Sequence, residues 1–123
     1  MLTDVERHAP QEACGLVAGI HDTCLAVFPI SNALQSPVRF RMEPREQLEV
    51  FERIDEKNWA LLGIYHSHPS GPAHPSPTDI AEAAYPEAVN LIWFPENEGW
   101  QCRGFIIRDK EVNEIPIRIS DLE

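Results

Sequence analysis

Two histidines one residue apart, His66 and His68, close an apolar run, and a carboxylate, Asp79, follows across a loop that contains Pro69, Pro72, Pro75 and Pro77. Two neutral imidazoles and one carboxylate are a three-ligand set for catalytic zinc, with a water in the fourth tetrahedral position. Zinc lowers the pKa of that water from 15.7 to roughly 7, which yields hydroxide at neutral pH. Each residue also has a structural reading. A histidine near a strand end can be a hydrogen-bonded packing residue. Ser76-Pro77-Thr78-Asp79 reads as a helix start, with serine at the N-cap, proline at N1 and an acid at N3, close to a capping box. Taken together, two same-face histidines and a positioned acid across a proline-locked loop point to a metal.

The elements that must position these groups follow from periodicity. Leu62, Ile64, His66 and His68 alternate with Leu61, Gly63, Tyr65 and Ser67, so each set shares one face of a strand. Both faces are mostly apolar, which predicts a central strand covered on both sides, with the imidazoles at the edge of a core. The prolines lower the entropy of the unfolded loop, so one loop geometry costs less to hold than a Gly/Ser loop would.

The pattern resembles the JAMM (MPN-plus) zinc metalloproteases, whose signature is an upstream Glu followed by H-x-H-P and then H-x-H-x(7)-S-x(2)-D. This chain has His66, His68-Pro69, Ser76 and Asp79 at that spacing, and Pro10-Gln11-Glu12-Ala13-Cys14-Gly15-Leu16 is similar to the family's glutamate segment. The resemblance covers most of the chain and implies one catalytic zinc on His66, His68 and Asp79. It also implies a general acid/base at Glu12 and an oxyanion-stabilising hydroxyl at Ser76. By local pattern alone nothing selects Glu12 from the other glutamates. Cap and oxyanion donor are competing demands on the one Ser76 hydroxyl.

Composition bounds the rest. At 123 residues the chain reads as a single domain, 1–123. A net charge of -10 argues against nucleic acid as partner, which would need a basic stripe. No apolar run reaches the roughly 20 residues of a membrane span, so no membrane association is expected. MLTDVERHAP lacks the apolar segment of a secretory signal. Cys14, Cys24 and Cys102 are odd in number and form no C-x-x-C pair, and they read as reduced, buried thiols of a cytoplasmic protein.

In chain order, residues 2–8 form a short helix ending before Pro10, where the family normally carries a strand and a longer helix. Residues 13–20 and 23–30 read as strands joined at His21-Asp22, the second a buried hairpin arm. Residues 31–37 read as loop and 38–42 as a strand. Pro44 opens a helix to about Asn58 with Leu48, Phe51 and Ile54 on its inner side. A helix over 78–85 ends at Pro86, 89–94 is an apolar strand, and 100–108 pairs with 112–119 around Asp109-Lys110. In that last arm Ile115, Ile117 and Ile119 face the core, and Pro116 marks an edge strand. His8, His21 and His74 receive no role. The fold expected is mixed α+β, a curved, mostly antiparallel mixed sheet flanked by helices, which is also what the resemblance implies.

The resemblance further implies hydrolysis of a peptide or isopeptide bond at the C-terminal tail of a ubiquitin-like or sulfur-carrier protein: adduct removal, tail trimming or deconjugation. A short chain has little room for the insertions with which larger relatives grip ubiquitin, which favours a compact prokaryotic-type enzyme. The alternative is a non-catalytic scaffold of the same family. A nucleobase deaminase would need H-x-E with P-C-x-x-C, and neither that nor H-E-x-x-H occurs.

Overall fold

The strand that ends in the two histidines is the middle of the architecture. In the computed structural model, which describes residues 1–118, the strands are β1 (Cys14–Ile20), β2 (Thr23–Ile30), β3 (Ala60–Ser67), β4 (Val89–Glu96), β5 (Gly99–Arg108) and β6 (Glu111–Ile115). They form one sheet in the order β2-β1-β3-β4-β5-β6. β3 and β4 are parallel and every other neighbouring pair is antiparallel. The helices are α1 (Leu2–His8), α2 (Pro44–Glu56) and α3 (Pro77–Ala81). This is the mixed α+β arrangement expected.

Two apolar clusters cover the two faces of the sheet. One joins Cys14, Leu16, Ala18 and Ile30 to Met42 and to Val50 and Ile54 of α2. The other joins Val17, Tyr65, Leu91 and Trp93 to Ala13 and to Val5 of α1. β1 and β3 are therefore sandwiched, and burying such side chains contributes roughly 1.5–3 kcal/mol each. Tyr65 is fully buried and its hydroxyl donates to the Asp4 carboxylate at 2.6 Å, which ties α1 to β3. Gly15 lies beneath that ring: a Cβ there would collide with Tyr65 and with the Phe28 carbonyl.

Several expectations are corrected. Strict alternation puts Leu62 with Ile64, but β1 pairs Val17 with Gly63 and Ala18 with Leu61, which leaves Leu62 as a bulge. Leu61 consequently packs in the α2 cluster and Leu62 in the other. β2 is an edge strand, largely exposed, not a buried arm. No strand forms over 38–42; only an isolated bridge joins Asn32 and Met42. In α2 the inward residues are Val50, Phe51 and Ile54, while Leu48 is 59% exposed. The helix expected over 78–85 stops at Ala81, because Ala83 and Ala84 find no core and Pro86 disfavours helical backbone at Tyr85. Of the three cysteines, Cys14 is buried, Cys102 half-buried and Cys24 exposed on the edge strand, so the reading of all three as buried fails. β6 ends at Ile115, just before Pro116, and Ile119 lies outside the described residues.

Candidate metal centre

The C-terminal end of β3 brings His66 onto the α2 face of the sheet, opposite Cys14 of β1. Beyond the strand, His68 is fixed by its backbone amide, which donates to the Trp93 carbonyl at 2.7 Å. The chain then turns through the proline loop to α3. There the capping box read from the sequence is formed: the Asp79 amide donates to Ser76 Oγ at 3.0 Å and the Ser76 amide donates to Asp79 Oδ2 at 2.9 Å. The helix start thus aims the carboxylate at the imidazoles.

Asp79 Oδ2 lies 3.1 Å from His66 Nε2 and 3.0 Å from His68 Nε2, and the two nitrogens are 3.1 Å apart. Nitrogen and oxygen ligands bound at about 2.0–2.2 Å in a tetrahedron stand about 3.3–3.5 Å from one another. The triangle is within a few tenths of an ångström of that spacing, so these three residues fit a divalent metal. His68 is oriented as a ligand would need: its Nδ1–H donates to the Pro72 carbonyl at 2.8 Å, which turns Nε2 toward the cluster. His66 has a different support. Its Nδ1 is buried without a hydrogen-bond partner among the described residues, and the Phe40 ring stacks on the imidazole at 4.5 Å between centroids and 23° between planes.

Glu12 is the fourth group. One of its carboxylate oxygens lies within 4.8 Å of a ring nitrogen of each imidazole, so Glu12, His66 and His68 could also hold an ion. Asp79 Oδ2 is in direct range of both Nε2 atoms, so it too could complete a three-ligand set with the imidazoles. Glu12 is held through its backbone: its amide donates to the Ser36 carbonyl at 2.8 Å and its carbonyl accepts from Asn32 Nδ2 at 3.1 Å. Next to it, the Ala13 amide donates to Ser67 Oγ at 2.8 Å and the Ser67 amide to the Ala13 carbonyl at 3.0 Å.

The electrostatics suit a cation. Burial pushes Glu12 up to about 7, with His68 pulling it down and Asp79 pushing it up. Burial also opposes the ionised form of Asp79, but hydrogen bonds from His66 and His68 outweigh it and hold the carboxyl well below the usual range. Burial lowers His66 against the pull of Asp79, so this imidazole is neutral. In His68 burial acts downward too, yet the bonds to Asp79 and to the Pro72 carbonyl prevail and raise it. A neutral imidazole and an ionised carboxylate are metal-ready, and a carboxyl titrating near neutrality can take up and return a proton. Cys14, pushed up to about 12 chiefly by burial, is an inert thiol bonded to the Ile30 carbonyl.

A cleft of about 290 Å³ opens onto His66 and Asp79 between Phe40, Met42, Ile64 and Tyr85. A larger depression of about 540 Å³, between α1 and the β4–β5 turn, contains none of the cluster.

The family profile described as prokaryotic homologs of the JAB domain matches residues 1–112. This chain belongs to that family. Among its relatives, the CysO-cysteine peptidase of Mycobacterium tuberculosis is 33% identical, over 98% of this chain and 85% of its own. The desampylase of Pyrococcus furiosus is 34% identical, over 89% of this chain and 76% of its own. A solution structure of a protein from Desulfitobacterium hafniense superposes with a TM-score of 0.85 at 37% identity, covering 98% of this chain and 86% of that one. The JAB chain is thus a hydrolase of the JAMM type, in agreement with the resemblance read from His66, His68, Ser76 and Asp79.

All five residues singled out in the sequence, Glu12, His66, His68, Ser76 and Asp79, come together around this cluster. His8 sits on α1 with Asp4, at 3.0 Å, while His21 and His74 are exposed and stand apart from it. Phe40, Ser67 and Asn32 were missed. Phe40 fell in an expected strand, and Ser67 was assigned only to a face. Asn32 carried one usable signal, an asparagine directly after a strand, the residue type that bonds its own loop.

Proposed function

We propose that the chain is a zinc-dependent peptidase that cleaves the bond following the C-terminal tail of a ubiquitin-like or sulfur-carrier protein. In this reading His66, His68 and Asp79 hold one zinc, which when bound supplies an activated water and a Lewis acid for the scissile carbonyl. The observation that carries the reading is the triangle of ligand atoms 3.0–3.1 Å on each side, with a buried carboxyl raised to about 7 beside it.

Glu12 acts as general base and then as general acid, taking a proton from the attacking water and delivering it to the departing amine; such transfers contribute about 10²–10⁴-fold. Ser76 can serve cap and oxyanion together. The cap uses a lone pair of Oγ, which accepts from the Asp79 amide, and the hydroxyl proton stays available to donate. The conflict expected from the sequence is removed by dividing the hydroxyl between its acceptor and donor sides.

The substrate class is supported by relatives whose names specify CysO-cysteine and desampylation. The family match over residues 1–112 supports reading the chain as one catalytic domain. Three cysteines, odd in number and without a C-x-x-C pair, support a cytoplasmic setting, and the charge of -10 supports a protein rather than a nucleic-acid partner. No helix among the described residues is long and apolar enough to cross a membrane.

The test is mass spectrometry of a ubiquitin-like carrier protein bearing cysteine on its C-terminal glycine, before and after incubation with zinc-loaded protein. Loss of the cysteine mass is expected, abolished by chelator and reduced about 10²–10⁴-fold in Glu12→Gln. A carrier that emerges intact, tried also as an isopeptide conjugate and with an extended tail, rejects the reading.

A further inference from the structure

Asn32 follows β2 directly and is 8% exposed. Its carboxamide Nδ2 donates to the Glu12 carbonyl at 3.1 Å and to the Arg39 carbonyl at 3.0 Å. Oδ1 accepts from the Leu34 amide at 3.1 Å and the Arg41 amide at 3.0 Å. A carboxamide offers two N–H donors and two oxygen lone pairs, so its capacity is filled. Turned over, it would set N–H against N–H and oxygen against carbonyl, so one orientation serves.

Three of these partners belong to the loop over 33–41, and the fourth is the peptide carbonyl of Glu12. The same loop also accepts the Glu12 amide, at Ser36. Its far end lays Phe40 on the imidazole of His66. The loop and Asn32 between them therefore grip both peptide groups flanking the Cα of Glu12, the amide at Ser36 and the carbonyl at Asn32, and the loop packs against His66.

We propose that Asn32 is a positioning residue: by bonding the Glu12 carbonyl to the loop that carries Phe40, it fixes the separation between the Glu12 carboxylate and the His66 imidazole. The inference rests on the reading of Glu12 as the acid/base. Proton transfer requires hydrogen-bond reach, and a displacement of about 1 Å can cost on the order of 10²-fold in rate. A residue that only folds its loop would instead cost stability and leave the turnover of the folded fraction unchanged.

Two variants separate these roles, assayed zinc-loaded on the carrier protein bearing a C-terminal cysteine. Asn32→Ser keeps a hydroxyl that can reach the Leu34 amide and so preserves the local turn, but it is too short to reach Glu12. Asn32→Asp keeps both acceptor bonds and sets an oxygen against the Glu12 and Arg39 carbonyls. Both are expected to lower kcat about 10–100-fold, with KM within about threefold and parental zinc content. In a Glu12→Gln background, Asn32→Ser should lower the residual rate less than about twofold, because the group it positions is gone. Parental kcat in the variants, a loss that merely tracks missing zinc or unfolded protein, or an equal loss in both backgrounds overturns the proposal. Should Asn32→Asp fail to fold, Asn32→Ser decides. A fully active Glu12→Gln protein sinks the reading of Glu12 and this proposal with it, whereas an inactive Glu12→Gln beside a fully active Asn32→Ser sinks this proposal alone.

Discussion

Two irregular loops flank the cluster of His66, His68 and Asp79 and are held in different ways. The loop after His68 is stiffened from within its own segment: four prolines, one hydrogen bond from the His68 Nδ1–H to the Pro72 carbonyl, and a capping box that aims Asp79. The loop after β2 has one proline, Pro37, and is organised by the side chain of Asn32, with Glu46 of α2 accepting from the Ser31 amide and hydroxyl at 3.0 and 3.1 Å. The first delivers Asp79; the second delivers Phe40 and brackets Glu12. Stiffness written into the backbone is local and shows in composition, whereas a side-chain hub depends on partners remote in sequence. The two loops should therefore fail differently.

The sharpest break is Asp79→Ala. It leaves the prolines in place but removes the group they position, so activity and zinc affinity should fall well beyond the roughly 10–100-fold that loss of an outer-shell partner costs. Zinc competition titration and turnover on the carrier substrate check this. Next is Ser76→Ala, which removes the cap and the donor at once: kcat should fall about 10²–10³-fold, with about 1 kcal/mol lost in thermal unfolding. A stability loss with unchanged kcat would leave Ser76 as a cap only.

A smaller effect isolates the bracketed glutamate. In metal-free protein the raised Glu12 carboxyl favours folding in its protonated form. That contribution is full below its ordinary value of 4.5 and is lost as pH rises through about 7. Glu12→Gln has no such loss, so its Tm in chelator should exceed the parent's at pH 8 and approach it at pH 5. Parallel melts at the two pH values test the sign. The smallest effect is Pro77→Ala, at the first position of α3: about 0.4–1 kcal/mol of stability and no change in kcat, seen as a modest drop in Tm.

The same contrast explains what was legible in the sequence. His66 and His68 could be read because period-two alternation needs only neighbouring residues, and Asp79 because a capping box is a four-residue pattern. The edge position of the closing strand could be read from Pro116. The strand expected over 38–42 fails because Asn32 takes the Arg39 carbonyl and the Arg41 amide that a ladder would have used. Leu62 was misplaced because the bulge is set by pairing with β1, 44 to 45 residues upstream at Val17 and Ala18, and nothing in the run Leu61-Leu62-Gly63 announces it. Leu48 was read inward as an apolar residue at helical spacing, but the packing stripe of α2 is fixed by where Met42 and Ile30 sit. Glu12 was reachable only through family resemblance, since its placement comes from backbone bonds to Ser36 and Asn32, both outside its own segment.

The antiparallel pairing of Cys14 with His66 carries a practical consequence. Lengthening β1 by one residue between Glu12 and the bulge would move the acid along the ladder by about 3.3 Å and swap which side chains face the imidazoles. The tight turn at His21 and Asp22 lies at the other end of that strand, exposed. A fluorescent tag or affinity peptide spliced into that turn should therefore leave the chemistry intact, whereas the same splice at the front of β1 would silence it.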